Sequence, residues 1–316
     1  MLNRRYLRIK VYHSLYAYWQ GDDASAAKPE RELFQGIERV HDLYLSLLLV
    51  FGELRHVASL RMDDRRKKHL PTANDLDPSQ RFLENAIVRA VTESKRIQAE
   101  CDKRRLSWVG NHELFTGMYK GLEESEEFQK YMADPEPSFA KDRDFAAWLF
   151  DERIANDEHL QDLFETRSIH WMEDIDLAAS LVKRAIEQLR ERSNGDELLD
   201  ALSTDLKEET DFVTTLFRKA IEMGGEHEEM IAAKASNWEA DRIAYSDMIL
   251  MKMALTEVRI FDQIPVKVTL NEYIEIAKAY STPKSKNFIN GVLDKIFIEM
   301  KADGRIVKVG RGLLES

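Results

Sequence analysis

Two Glu-x-x-His pairs, Glu38/His41 and Glu53/His56, are the first residues of this chain whose types and spacing suggest chemistry. Positions i and i+3 share a helix face, and such pairs on different helices build carboxylate-bridged di-iron centres in helical bundles. Here both pairs fall within one helical pattern, about 22 Å apart at the helical rise, too far for one metal centre. The glutamates that two further helices would have to supply are not evident, so these charges read as a solvated face. Glu173, Asp174 and Asp176 follow Trp171 and could hold a cation. They read better as a helix start, where acids meet the positive end of the helix dipole. The single cysteine, Cys101, precedes Asp102, Lys103, Arg104 and Arg105. Basic neighbours can lower a thiol pKa, but no paired histidine marks a nucleophile. One cysteine also excludes an intramolecular disulfide and a cysteine-built zinc site, and fits a reducing, cytoplasmic setting. There is no HExxH and no GxSxG, and Gly310-Arg311-Gly312 lacks a strand–turn–helix context. The expectation is a protein that is not an enzyme and carries no cofactor or metal.

Charge is the second signal. The 316 residues carry 46 Lys+Arg and 57 Asp+Glu, a formal charge of −11. Arg4, Arg5, Arg8 and Lys10 give residues 1–20 a charge of +4 with no acid, and residues 264–316 carry nine basic and six acidic side chains, +3. The stretch 21–263 must therefore hold −18. Basic ends around an acidic middle suggest an anion-binding surface built from the termini; uneven charge that merely solvates helix faces is the alternative. The acid-free, Arg-rich start also fits an organellar transit peptide, but Tyr16, Tyr18 and Trp19 suggest a packed helix, and no apolar segment with a cleavage site follows.

The elements that must position these residues read as helices almost throughout. With 44% hydrophobic and 33% charged residues, 13 Gly and 7 Pro, the chain suits a soluble all-α protein rather than a loop-rich β fold. Leu7, Val11, Leu15 and Tyr18 make a helical stripe in 3–20, and further helices are expected over 31–62, 79–102, 112–132, 139–150, 158–192, 197–223 and 226–260. The most apolar stretch, Leu43–Phe51, is bounded by Asp42 and Glu53. It falls short of the roughly 20 residues of a membrane span, which predicts a buried helix and no membrane. Thr269-Leu270-Asn271-Glu272 reads as a capping box, and Thr282-Pro283 as an N-cap followed by Pro at the first helical position. Gly291, inside the last helix, costs about 1 kcal/mol relative to Ala, which suggests close helix packing or a ligand near the backbone.

The segment IPVKVTLNEYIEIAKAYSTPKSKNFINGVLDKI (264–296) closely resembles the C-terminal signature of the NusB family of bacterial transcription antitermination factors. The fit runs through Pro265, Lys267, Val268, Asn271, Glu272, Ile274, Glu275, Ala277 and Lys278. It resumes over Phe288, Asn290, Gly291, Val292, Leu293 and Asp294. RRYLRIKVYHSLYAYWQ (4–20) is similar to the family's arginine-rich first helix, and MILMKMALTEV (248–258) to the helix before the signature. The resemblance implies an all-α core of two packed helical bundles. It also implies binding of boxA-type single-stranded RNA with the ribosomal protein NusE, within the RNA polymerase antitermination complex, likewise in the cytoplasm.

Carried over residue by residue, the RNA site implied is Arg4, Arg5 and Arg8 with Lys284, Lys286, Asn287 and Phe288. Asn287 and Tyr6 stand where other members often have basic residues. The arginines have no acid within a turn or two to pair with, which favours an anion-binding role; Phe288 and Tyr16 could equally be core, and Asn290 and Gly291 read as helix packing.

Compact members are less than half this length. The expected organisation is therefore residues 1–20 as the first helix of the core, 21–200 as a helical, acidic insertion, 201–304 as the rest of the core and 305–316 as a basic tail. LPTANDLDPSQRFLEN (70–85) resembles the insert of long family members. Arg65-Arg66-Lys67-Lys68 could extend an RNA track, although Asp63 and Asp64 beside it favour a solvated face. The alternative function is a protein-interaction scaffold of the transcription or ribosome-assembly machinery that no longer binds RNA.

Overall fold

The computed structural model describes residues 4–21, 25–168, 171–203, 206–235 and 243–314, and among these there is no strand. In chain order the helices are α1 (Arg4–Gln20), α2 (Ala27–Arg66), α3 (Ala73–Leu76), α4 (Ala86–Glu93), α5 (Lys95–Arg104), α6 (His112–Glu123), α7 (Glu126–Ala133) and α8 (Phe139–Leu149). After a π-helical turn at Phe150–Ile154 come α9 (Glu158–Arg167), α10 (Ile175–Gln188), α11 (Glu197–Ser203), α12 (Leu206–Glu222) and α13 (Gly224–Ala235). The last are α14 (Tyr245–Ile260), α15 (Val266–Tyr280) and α16 (Ser285–Ala302). The fold is all-α. It divides into two compact units, one of residues 38–204 and one of 2–37 with 205–316.

In the unit of residues 38–204 the core forms around α2. Leu43, Tyr44, Leu45, Leu47, Leu48, Val50 and Phe51 are fully buried, so apolar side chains face inward all round the helix. On length and composition alone α2 could cross a membrane, but 61% of its apolar window is buried inside the protein. The polar groups drawn into this core are satisfied: Tyr44 Oη donates to Leu198 O at 2.6 Å and Trp108 Nε1 to Ser46 O at 3.0 Å. Phe82 meets Tyr119, Phe128 and Phe145, and Tyr131 stacks on Phe145 at 3.9 Å.

Several helices expected to be continuous are broken, because polar side chains intervene where apolar periodicity alone runs on. Ser94 separates α4 from α5: its hydroxyl accepts from Ile97 N at 3.2 Å and donates to Asp196 at 2.7 Å. Ser125 separates α6 from α7, accepting from Phe128 N at 3.3 Å and donating to Leu122 O at 2.7 Å. The stretch expected as one helix over 158–192 is α9 and α10, with Asp174 at the start of α10. The helix expected over 226–260 is α13 and α14, with residues 236–242 outside the described residues.

The unit of residues 2–37 and 205–316 is organised by α14, whose residues Ile249–Val258 are all buried. Helices α1, α12, α13, α15 and α16 pack on it. The expected capping box at 269–272 is absent, because α15 begins a turn earlier, at Val266 after Pro265. Thr269 is buried inside the helix and donates to Glu257 at 2.8 Å, while Glu272 pairs with Arg5. The Thr282-Pro283 cap is displaced similarly: α16 starts at Ser285, and Thr282 Oγ1 instead lies 2.8 Å from Ser285 Oγ. The segment after α16 folds back, with Val309 N donating to Asp262 O at 3.1 Å and Lys308 Nζ to Phe261 O at 2.8 Å.

Candidate nucleic-acid interface

The three arginines of α1 meet acids that come from distant sequence. Arg8 is 2% exposed and donates through Nε and Nη2, both at 2.7 Å, to the two carboxylate oxygens of Glu257 in α14. Burial alone would lower its pKa, but the Glu257 charge and hydrogen bonds outweigh that and hold the guanidinium above its ordinary value. Arg5 forms a second fork to Glu272 at 3.0 and 2.8 Å, with its side chain 42% exposed. Arg4 pairs with Glu208 and lies over the Phe212 ring at 4.3 Å. The expectation that these arginines lack partners is thus corrected, because tertiary folding supplies three glutamates that no local window contains. Arg8 in particular is structural: a group sealed against Glu257 offers no face to a phosphate.

The second group opens α16. Lys284, Lys286 and Asn287 are exposed, and no side chain caps this helix start. Phe288 is 9% exposed and packs into the core, so it presents no open ring to a base. Asn290 is exposed and nothing lies within 4 Å of a Cβ placed on Gly291. That corrects the expectation of helix packing at both positions: the glycine faces open space.

The two groups do not form one cluster. Helix α15 runs parallel to α1, meeting it through Glu272 at Arg5 and through Tyr280 at His13, whose rings lie 5.0 Å apart. Arg5 and His13 are eight positions apart, roughly 12 Å along the helix. The arginine end and the opening of α16 therefore sit at opposite ends of the α1–α15 pair. Between them and α14 lies an aromatic group that sequence reasoning missed apart from Tyr16. Tyr12 meets Tyr280 at 5.6 Å, and half-exposed Tyr16 and Tyr245 pack edge-on at 5.3 Å. Their spacing on α1 was visible as i, i+4, but Tyr245 and Tyr280 join them only through the fold. Ser281 donates to Asp247 at 2.5 Å and lies 3.0 Å from Ser285, fixing the turn that carries Lys284 beside this group.

The other candidates resolve as structure. Glu38, which is exposed, and Asp42 pair with Arg104 at 2.9 and 2.8 Å, His41 is buried rather than on a solvated face, and no group of described residues could hold a metal ion. Arg65 pairs with Glu123 and Lys68 with Asp75. Cys101 is buried, and burial pushes its thiol up to about 11, the opposite of an activated thiolate. A thiol-reactive disulfide reagent should leave the folded protein unlabelled at pH 7 over minutes and label it fully in denaturant; rapid labelling of the folded state would contradict this placement.

Comparison with known proteins agrees with this architecture. The pattern of the NusB family matches residues 175–297. The transcription antitermination protein NusB of Salinibacter ruber is 47% identical over 104 residues, 33% of this chain and 65% of its own length. That of Chloroherpeton thalassium is 43% identical over 105 residues, 33% of this chain and 50% of the relative. That of Lachnoclostridium phytofermentans is 36% identical over 97 residues, 31% of this chain and 74% of the relative. The chain thus spans between half and two thirds of the length of the first two relatives. No solved structure matches it. The chain belongs to the NusB family.

Proposed function

We propose that this protein is a non-enzymatic, cytoplasmic transcription antitermination factor. In this reading it binds boxA-type single-stranded RNA together with the ribosomal protein NusE, as part of the RNA polymerase antitermination complex, and promotes processive transcription of ribosomal RNA operons. Residues 21–200 are read as an insertion in the family's core. The observation that carries the reading is the exposed Lys284, Lys286 and Asn287 at the uncapped start of α16, beside half-exposed tyrosines. Backbone N–H groups and lysines there suit phosphates, and aromatic faces suit unpaired bases. Arg4 and Arg5, each only partly buried, can exchange Glu208 and Glu272 for a phosphate; Arg8 and Phe288 support the surface from within.

If Arg4, Arg5, Lys284 and Lys286 each neutralise one phosphate, the log of the binding constant should fall with log salt at a slope of about −3 for a single strand. A gel-shift titration with boxA RNA, with and without NusE, tests this. Lys284→Ala with Lys286→Ala, and separately Arg4→Ala with Arg5→Ala, should each weaken binding and flatten the slope. Tight binding unaffected by both pairs overturns the site. One observation favours the alternative of a protein scaffold that has lost RNA binding: all three α1 arginines are already engaged by glutamates. Co-purification with NusE without any shift of boxA RNA would select it.

A further inference from the structure

A cleft of about 480 Å³ in the unit of residues 38–204 is lined by the end of α2, the turn at Pro78 and helices α6 and α7. Arg61 and Arg65, one turn apart on α2, both reach the Glu123 carboxylate, one oxygen each, at 2.8 Å. Two full positive charges thus share one negative charge, and both arginine side chains are more than a third exposed. A guanidinium carries five N–H donors in a planar fork. One ion-pair contact each leaves most of these for a second carboxylate.

Much of the rest of the lining is apolar and adaptable, with Met62, Met132 and Phe128 among it beside the polar Ser79 and Gln129. Methionine side chains re-pack readily around apolar partners, and arginine beside methionine is a combination enriched at protein interfaces. Tyr119 and Phe128 are buried, so no open aromatic face awaits a nucleic-acid base.

We propose that this cleft docks a partner protein through a short segment carrying an acidic side chain within a turn of a large apolar one. The carboxylate bridges Arg61 and Arg65, completing a two-cation, two-anion square with Glu123, and the apolar side chain enters beside Met62 and Met132. This goes beyond the RNA reading and does not depend on it.

The test pans a random dodecapeptide phage library on the full chain. Enriched peptides should pair Asp or Glu with Leu, Phe or Met. The strongest, made synthetically and followed by fluorescence anisotropy, should bind at least about tenfold more weakly to Arg61→Ala with Arg65→Ala, the loss expected for an interface hot spot. Met132→Glu, which keeps both arginines and sits at a partly exposed position, should weaken it similarly, with far-UV circular dichroism checking that both variants fold. No enrichment beyond that seen on the double variant overturns the proposal. So do enriched peptides that are basic or wholly apolar, or displacement of the peptide by single-stranded RNA.

Discussion

Glu257→Gln is expected to lower the stability of the unit formed by residues 2–37 and 205–316 by about 3–5 kcal/mol, the range for stripping one partner from a buried ion pair. Glu257 is fully buried and accepts four hydrogen bonds: two from Arg8, one from Thr269 at 2.8 Å and one from Tyr273 at 3.1 Å. Glutamine keeps the shape but not the charge, and turns an amide NH₂ toward donors. The Arg8 guanidinium cannot shed its proton, so it stays charged and buried, keeping the longer Glu272 contact at 3.6 Å in place of its charged bonds to Glu257. Arg8→Met removes the other partner with a different consequence. Glu257 then keeps its two hydroxyl donors, Thr269 and Tyr273, whereas in Glu257→Gln the Arg8 guanidinium loses the charge of its carboxylate partner. Urea titrations of both variants at pH 7 measure the two losses. A loss below about 1 kcal/mol for Glu257→Gln would mean that Glu257 is not the hub of this core.

That hub also marks the boundary of what local sequence could reveal. The all-α class, the buried stretch Leu43–Phe51 and the apolar stripe of α1 follow from periodicity, which depends on a single helix and its own neighbours. The pairing of Arg5 with Glu272, 267 positions away, and of Arg8 with Glu257, 249 away, depends on which helices pack together. An unpaired arginine read from a window of one or two turns is thus weak evidence for a ligand. The same limit explains Thr269: its spacing to Glu272 matches a capping box, but a buried carboxylate on another helix attracts its hydroxyl more strongly than a helix end does. Lys284, Lys286 and Asn287 were reached through the family resemblance rather than through a local pattern, and all three are exposed at the start of α16. Gly291 was legible as unusual, though not for the reason expected; the absence of any packed neighbour leaves its roughly 1 kcal/mol cost without a structural return.

Gly195→Ala should have the second large effect, in the unit of residues 38–204. Gly195 has φ of +87°, a region that L side chains rarely adopt, and a Cβ there would lie 2.1 Å from Ala90 O and 2.6 Å from Ala90 C. The obstacle is helix backbone in α4, not the end of a flexible side chain, so either α4 or the turn before α11 must move. Strained backbone and overpacking each cost roughly 1–3 kcal/mol, giving an expected loss of about 3 kcal/mol. Movement of the turn would also disturb the 2.7 Å bond that the α5-capping residue Ser94 donates to Asp196, and the Tyr44–Leu198 bond at 2.6 Å. Gly110→Ala separates the two causes: Gly110 has φ of +90° but no atom within 4 Å of its Cβ position, so it carries the strain alone. Thermal unfolding should rank Gly195→Ala well below Gly110→Ala, with hydrogen exchange in Gly195→Ala fastest in α4, α5 and α11. Equal melting of the two variants would show that the close approach of Gly195 to Ala90 is not a constraint on this fold.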